Sequence, residues 1–481
     1  MMSGTAELTR PRSSLSAPRA AVWAFAAVLT IALAYDMWRM PVQVFDSLQE
    51  ILDAQASPSV AQSFVNAAGG GAYLRPLRIA QIKAVFDLSQ GNYRAGYRGL
   101  HVVLIVALMW LFTRALPIET GLDAAAAIFA LTVLTGMHTF LGFLREAFPI
   151  NHFLEMAVFT LVALNLSLSR GGWWADALAA LTFIAAALTL ESGVLVWVVV
   201  AGAWLCGLRG VSTRGVLVLT ALLVGYFAVR FWFLETGLPT LTERASGFLL
   251  ERLEPDELQR RFGDSPRLFY AYNVVVAVLS VLFAEPRDGL FVATRAWMDG
   301  DVRPHTYLAV GASLAMTLLI LVAAIAMWRR RRQLERSDRL VIVAAIVVMA
   351  NAVLAFSYAK DDIVTIAGVF YAIAAYTAIR RAVVYARSGG LVRAVVVSAA
   401  LLPLAAAWAV RSSGVHHVVN EHAFRTRNDW ASLPVEWHRE GRWPSDPRQL
   451  RLIETLRNDA LQSPMPNPNQ LPEWRSRWYG D

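Results

Sequence analysis

The sequence predicts an all-α polytopic membrane protein, and three observations carry that expectation. Of 481 residues, 56% are hydrophobic and only 17% are charged, whereas a soluble chain carries about a quarter charged residues. Apolar runs recur that reach the roughly 20 residues needed to cross a bilayer. Most arginines fall in short links between those runs, the pattern that sets orientation in a membrane. The net charge of +8 therefore reflects topology, and no nucleic-acid partner is expected. The single cysteine, Cys206, lies in an apolar run and allows no disulfide framework.

The chain divides in order. Residues 1–20 are basic at Arg10, Arg12 and Arg19 and lead into an apolar run with no clean small-residue cleavage site. The run reads as a retained first span, about Ala21–Trp38, with a cytoplasmic N-terminus. A long polar loop, 39–98, follows on the outside. Within it Val42–Ala54 has helical spacing of Val44, Leu48, Ile51 and Leu52, and Asp46, Glu50 and Asp53 share one face. Pro58–Ala68 reads as a second short helix, and Pro76 is placed as a first-turn proline of a third, Leu77–Leu88. Six spans then alternate across Gly99–Leu234. Residues 21–234 form one transmembrane module.

Residues 235–305 are a charged outside loop around the apolar run Leu268–Phe283. If that run crossed fully, the four arginines Arg329–Arg332 would fall outside, against the positive-inside rule. It is therefore expected to be re-entrant or to lie on the surface. Residues 306–410 hold the last spans, for a total of about eleven. The tail, 411–481, lies outside and is too short for a large core of its own.

This topology gathers the unusual residues on one side. Asp46, Arg75, Arg78, His138, Arg145, Glu146, Glu191, Lys360, Asp361 and Asp362 all fall at or near outer ends of spans. Ionisable groups near a bilayer are costly and tend to mark a functional cavity, although charges at wet span ends often do no more than solvate. A carboxylate can take an acceptor's proton, and basic groups stabilise charge developing on a phosphate leaving group. Asp46 suits the first role. Arg75, Arg78, Arg145 and Lys360 suit the second. His416, His417 and His422 lack acids or cysteines at zinc spacing, so no metal is assigned to them. The chain has no P-loop, no GxGxxG after a strand and no GxSxG.

The order of these features resembles the GT-C fold of polyprenyl-phosphate-sugar-dependent glycosyltransferases, especially the protein O-mannosyltransferase-like branch and its bacterial relatives. The likeness covers roughly Ala21–Arg381 through short motifs. Asp46 matches a catalytic Asp in the first outside loop, and Arg75–Pro76–Leu77 an Arg-Pro-Leu motif before the second span. His101 matches a histidine in that span, His138 one after the third, and Glu191 an acid after the fifth. Tyr358–Ala359–Lys360–Asp361–Asp362, running on to Gly368, resembles a late Tyr-x-Arg-Tyr motif, with Lys-Asp-Asp where Arg is usual. Asp46 is followed by Ser47 where many relatives carry paired acids.

The resemblance implies an inverting glycosyltransferase in a bacterial inner membrane, with its active site periplasmic or extracellular. The donor would be a polyprenyl-phosphate sugar, and the acceptor a lipid, polysaccharide or protein. Asp46, Glu146 and Glu191 would be catalytic, and Tyr73, His101, His138, Tyr358 and Asp361 would line the pocket. No cofactor is called for, and a divalent metal is left open. Two other readings stand beside it: a polytopic transporter or flippase, and a non-catalytic envelope assembly protein that works through the tail. A transporter built from inverted repeats would carry broken helices in repeated halves, and no repeat stands out.

Overall fold

The computed structural model describes residues 16–69, 73–145, 149–234, 246–248, 251–263, 267–283, 290–300, 302, 304–329, 334–357 and 362–462. The chain is helical nearly throughout. Its order begins α1 (Ala17–Arg39), α2 (Phe45–Ala56), α3 (Val60–Gly69), α4 (Pro76–Ser89) and α5 (Tyr93–Ala115). It continues with α6 (Gly121–Gly136), α7 (His152–Ser167), α8 (Trp173–Thr189), α9 (Leu195–Leu205) and α10 (Thr213–Ala228). A hairpin, β1 (Ser246–Phe248) and β2 (Glu251–Leu253), precedes α11 (Pro255–Phe262), α12 (Arg267–Phe283) and α13 (Leu290–Asp299). Then come α14 (Pro304–Arg329), α15 (Arg336–Leu354), α16 (Thr365–Arg387), α17 (Gly390–Arg439) and α18 (Pro447–Gln462).

Among the described residues, seven helices are long and apolar enough to cross a membrane, and five shorter helices are also apolar. Their packing fits a multi-pass membrane protein. α16 is the central element, buried along nearly its whole length from Thr365 to Ile379, and α6, α14, α15 and α17 surround it. Many other helices keep large apolar side chains exposed, such as Leu217, Val224, Leu318 and Val322, which is stable only against an apolar solvent.

Polar groups at the helix ends fix the bundle's two ends. At one end Arg380 Nε donates to Asp123 Oδ1 at 2.6 Å, Arg339 Nη1 donates to the Gly207 carbonyl at 2.9 Å, and the Gly210 amide donates to the Ser167 carbonyl at 3.0 Å. At the other end Thr135 Oγ1 and Ser412 Oγ share a hydrogen bond at 2.6 Å, and His416 meets Asp36. These ties make consecutive apolar helices run in alternate directions, α12 excepted. Asn273 of α12 donates to the Phe356 carbonyl just past α15, and Ser280 bonds His138 just past α6. Both parts of α12 therefore sit towards the end of the bundle where α6 and α15 finish.

That same end carries a cap, and its composition departs from expectation. The last span and the first part of the tail, through Arg439, are one helix, α17, which runs 50 residues with Pro403 and Pro434 inside it. At 1.5 Å per residue this is about 75 Å. Its outer part and α18 share a core with the first loop: Val44, Leu48, Ile51 and Leu52 of α2 and its lead-in pack with Trp430, Leu433, Leu452, Ile453 and Leu456. The tail needs no large core of its own because it completes the one that α2 begins. Trp430 is fully buried, and its Nε1 donates to the Val42 carbonyl at 2.6 Å. Trp430→Ala is expected to cost about 3–5 kcal/mol, read as a lowered melting temperature in detergent.

Candidate active site

The candidate site is built on one face of α4. Arg75 precedes Pro76, which has no N–H to lose at the first turn. Arg75, Arg78 and Gln81 are three residues apart and so line one face of the helix. Each meets a carboxylate from a different part of the chain. Arg75 Nε donates to both oxygens of Glu191 at 3.0 Å, and its Nη2 donates to Oε2 at 2.6 Å. Arg78 pairs with Glu50 of α2. Gln81 Nε2 donates to Glu155 Oε1 of α7 at 2.6 Å, and the other Glu155 oxygen lies 3.2 Å from His152 Nδ1.

Local structure aims each carboxylate. Glu191 opens a single tight turn, Glu191–Val194, between α8 and α9. That turn closes on the end of α8 so tightly that a Cβ on Gly193 would lie 2.3 Å from the Ala186 backbone. Only glycine fits there, and its absence of a side chain holds Glu191 in place. Past α10 a π-helical turn, Val229–Phe233, brings Arg230 Nη1 to 3.9 Å from Glu191 Oε1. Glu191 therefore sits between two guanidiniums. The Arg75 guanidinium also stacks 4.2 Å from the centre of the Tyr73 ring.

The acids differ in access. Asp46 is exposed on the first turn of α2, one turn before Glu50. The Glu50 carboxyl is raised above its usual range, because burial outweighs the attraction of Arg78 and Arg75, and Asp46 adds repulsion. Arg78 is buried, at 4% side-chain exposure, whereas Arg75 and Glu191 are each 23% exposed. Arg75 is thus the guanidinium at the rim, and Arg78 braces α4 against α2 from beneath. Glu50 Oε2, Gln81 Oε1, His152 Nε2, Ser47 Oγ and Ser192 Oγ are buried here with no hydrogen-bond partner among the described residues. Buried polar groups of this kind are ordinarily met by protein or by ordered water.

Other expected site residues lie elsewhere. His101 is buried in α5, where its Nε2 accepts from the Asn151 amide at 2.6 Å and its Nδ1 lies 3.0 Å from Arg98 Nη1. Both ring nitrogens are engaged, so His101 fastens the turn before α7 and does not reach a ligand. His138 bonds Ser280 of α12, away from the α4 face. Arg145 offers its carbonyl to Gln43 Nε2 at 3.2 Å. Glu146, Tyr358, Lys360 and Asp361 lie outside the described residues. Glu155, Gln81 and Arg230 belong to the site but not to the expected set, as does Tyr226, whose hydroxyl accepts from Arg230 Nη1 at 3.4 Å. The signal for Glu155 and Arg230 was a lone charge inside an apolar run.

His422 in the outer part of α17 ties the cap to the lead-in of α2, its Nε2 lying 2.5 Å from Gln43 Nε2. Burial lowers its pKa to about 4, and Arg145, Arg98 and Arg425 push the same way against the weaker pull of Asp362. Because the folded value lies below the unfolded one of about 6.5, the stability from neutral His422 is complete above pH 6.5 and lost as pH falls towards 4. The expected loss is roughly 3 kcal/mol. Hydrogen exchange of α17 at pH 7 and pH 4.5 reads it, and His422→Gln should remove most of the difference.

Two cavities, of about 260 and 380 Å³, open at the opposite end of the bundle, and neither touches the α4 face. Among the described residues no group of three or more His, Cys, Asp or Glu side chains is arranged to hold a metal ion. Comparison with family models, curated proteins and solved structures gave no match.

Proposed function

We propose that this chain is a membrane glycosyltransferase that moves a sugar from a polyprenyl-phosphate donor to a hydroxyl acceptor at the capped end of the bundle. The observation that carries the reading is the α4 face, where the rim pair Arg75–Glu191 lies one turn from the buried pair Arg78–Glu50, and Glu50 in turn lies one turn of α2 from the exposed Asp46. Such a set suits transfer from a lipid-linked phosphate, which arrives from the side of a bundle. Asp46 takes the proton from the acceptor hydroxyl. The freed oxygen pair bonds to the anomeric carbon, and the bond from that carbon to the phosphate oxygen breaks with inversion. The electron pair stays on the phosphate, whose added charge Arg75 stabilises.

Glu191 has both oxygens on Arg75, so its role here is to position that guanidinium, not to move a proton. Glu50 and Arg78 hold α2 against α4 and so fix Asp46 relative to Arg75. The acceptor is a lipid, polysaccharide or protein. The test of the reading is transfer of labelled sugar from a polyprenyl-phosphate donor by the purified protein, with Asp46→Asn as the inactive control.

The topology that goes with this reading has about eleven crossings, with α12 kept in the outer half and the cap outside a bacterial inner membrane. Two features support it. Consecutive apolar helices alternate in direction, and Arg114, Arg209, Arg339, Arg380 and Arg387 crowd the uncapped end, as the positive-inside rule requires of a cytoplasmic face. Ser59 and Ser388 are exposed at opposite ends. In a Cys206→Ser background, Ser59→Cys is expected to react with an impermeant thiol reagent added to whole cells, and Ser388→Cys only after lysis. Equal labelling of both in whole cells would sink the topology.

A further inference from the structure

The larger of the two cavities lies between the ends of three apolar helices, opposite the α4 site. Ser167, Leu168 and Ser169 reach it from the end of α7, Gly207 and Arg209 from beyond α9, and Arg336 and Arg339 from the start of α15. Three guanidiniums line it and no carboxylate does. Among the described residues none of the three is ion-paired: Arg339 donates to the Gly207 carbonyl at 2.9 Å, Arg336 reaches the Leu168 carbonyl at 3.4 Å, and Arg209 stacks 4.2 Å over the Trp204 ring. Capping a carbonyl uses one N–H of the five that a guanidinium carries. Most of the donors around this cavity remain for another acceptor.

The neighbouring cavity contrasts with it. Arg380 there is held by Asp123 and Glu335, and Glu119 and Glu335 line the wall beside Arg19, Arg114 and the shared Arg336, so carboxylates offset part of its positive charge. In the larger cavity the positive charge has no such offset. Arg19 also lies near enough to Arg336 to repel it, so the field is concentrated, not relieved.

We propose that this cavity binds the phosphate of an anionic phospholipid headgroup. A phosphate diester supplies the acceptor oxygens that three guanidiniums lining one cavity match. The surroundings place the site at headgroup depth. Trp173 and Trp174 stack on each other at 3.6 Å just past the turn that ends α7, and each is 65% exposed. Exposed tryptophans at helix ends sit at the membrane–water boundary, and basic pockets between helix ends on one face are where anionic headgroups dock. A bound headgroup would tie α7, α9 and α15 together at the end where no cap holds them.

The test uses the full-length protein in detergent, with dissociation constants for phosphatidylglycerol and phosphatidylcholine read by native mass spectrometry. Wild type is expected to bind phosphatidylglycerol and to discriminate against the zwitterionic lipid. Each arginine near a membrane surface contributes roughly five-fold, so Arg209→Gln should weaken phosphatidylglycerol about five-fold and the Arg209→Gln/Arg339→Gln pair about 25-fold. Arg209→Lys, which keeps the charge, should retain most of the binding. Among the described residues the Arg209 side chain makes no hydrogen bond, so the single variant decides the matter if the double variant does not fold. Unchanged affinity in Arg209→Gln, or equal binding of phosphatidylcholine, would overturn the proposal. Full displacement of the lipid by millimolar inorganic phosphate would overturn the lipid as occupant and leave a site for a free anion.

Discussion

Asp46→Asn should lower sugar transfer by about 10²–10⁴-fold, the usual contribution of a general base, while the protein melts almost where wild type does. The second half of that expectation follows from placement. Asp46 is exposed, and among the described residues no hydrogen bond or ion pair involves its side chain. Asparagine keeps its shape and loses the carboxylate's favourable place at a helix start, about 0.3–1 kcal/mol. It also relieves repulsion with Glu50 one turn on. Rate and stability therefore separate in this variant. Arg75→Ala should behave differently, raising the KM for the donor as well as lowering kcat, because a phosphate contact acts in the ground and transition states alike. Transfer by the purified variants, beside their melting temperatures, distinguishes the two patterns. A well-folded Asp46→Asn protein with near wild-type turnover would remove Asp46 from the reaction.

The sequence made the helices legible because their signal is local. Length and unbroken apolarity identify a run such as Leu340–Phe356 without any knowledge of its neighbours. The cap was not legible for the opposite reason. The outer part of α17 runs on through Pro434, where a proline ordinarily breaks a helix, and nothing near Trp430 in the chain announces that it will meet the Val42 carbonyl. The site divides in the same way. Asp46, Arg75 and Glu191 stood out as polar residues at the ends of apolar runs, and the structure brings Arg75 and Glu191 into contact. Their pairing, and the burial that turns Arg78 from a rim group into a brace, are products of tertiary packing. Glu155 was visible as an acid within an apolar run, a costly placement, but choosing residues by their place at span ends passes over it.

The Arg78–Glu50 pair should show an asymmetry that surface ion pairs lack. Glu50→Leu takes the carboxylate away from a guanidinium only 4% exposed, and a guanidinium cannot shed its proton to become neutral. The expected cost is about 3–5 kcal/mol, the usual penalty for leaving one member of a buried pair behind, and it should change little with pH. Arg78→Met fills much of the same space and leaves Glu50 instead. A carboxyl can take up a proton, and burial already raises this one above its usual range. Removing Arg78 removes the main influence that lowers it, so its folded value rises further above its unfolded one. Folding then gains from the protonated form at low pH, and that gain is lost as pH rises through the folded value. Arg78→Met should therefore lie close to wild type in acid and fall away towards pH 8, while Glu50→Leu stays low throughout. Melting temperatures of both variants at pH 5 and pH 8 in one detergent read the difference. Parallel curves would mean that Glu50 and Arg78 are not the coupled, buried brace between α2 and α4 on which the position of Asp46 depends.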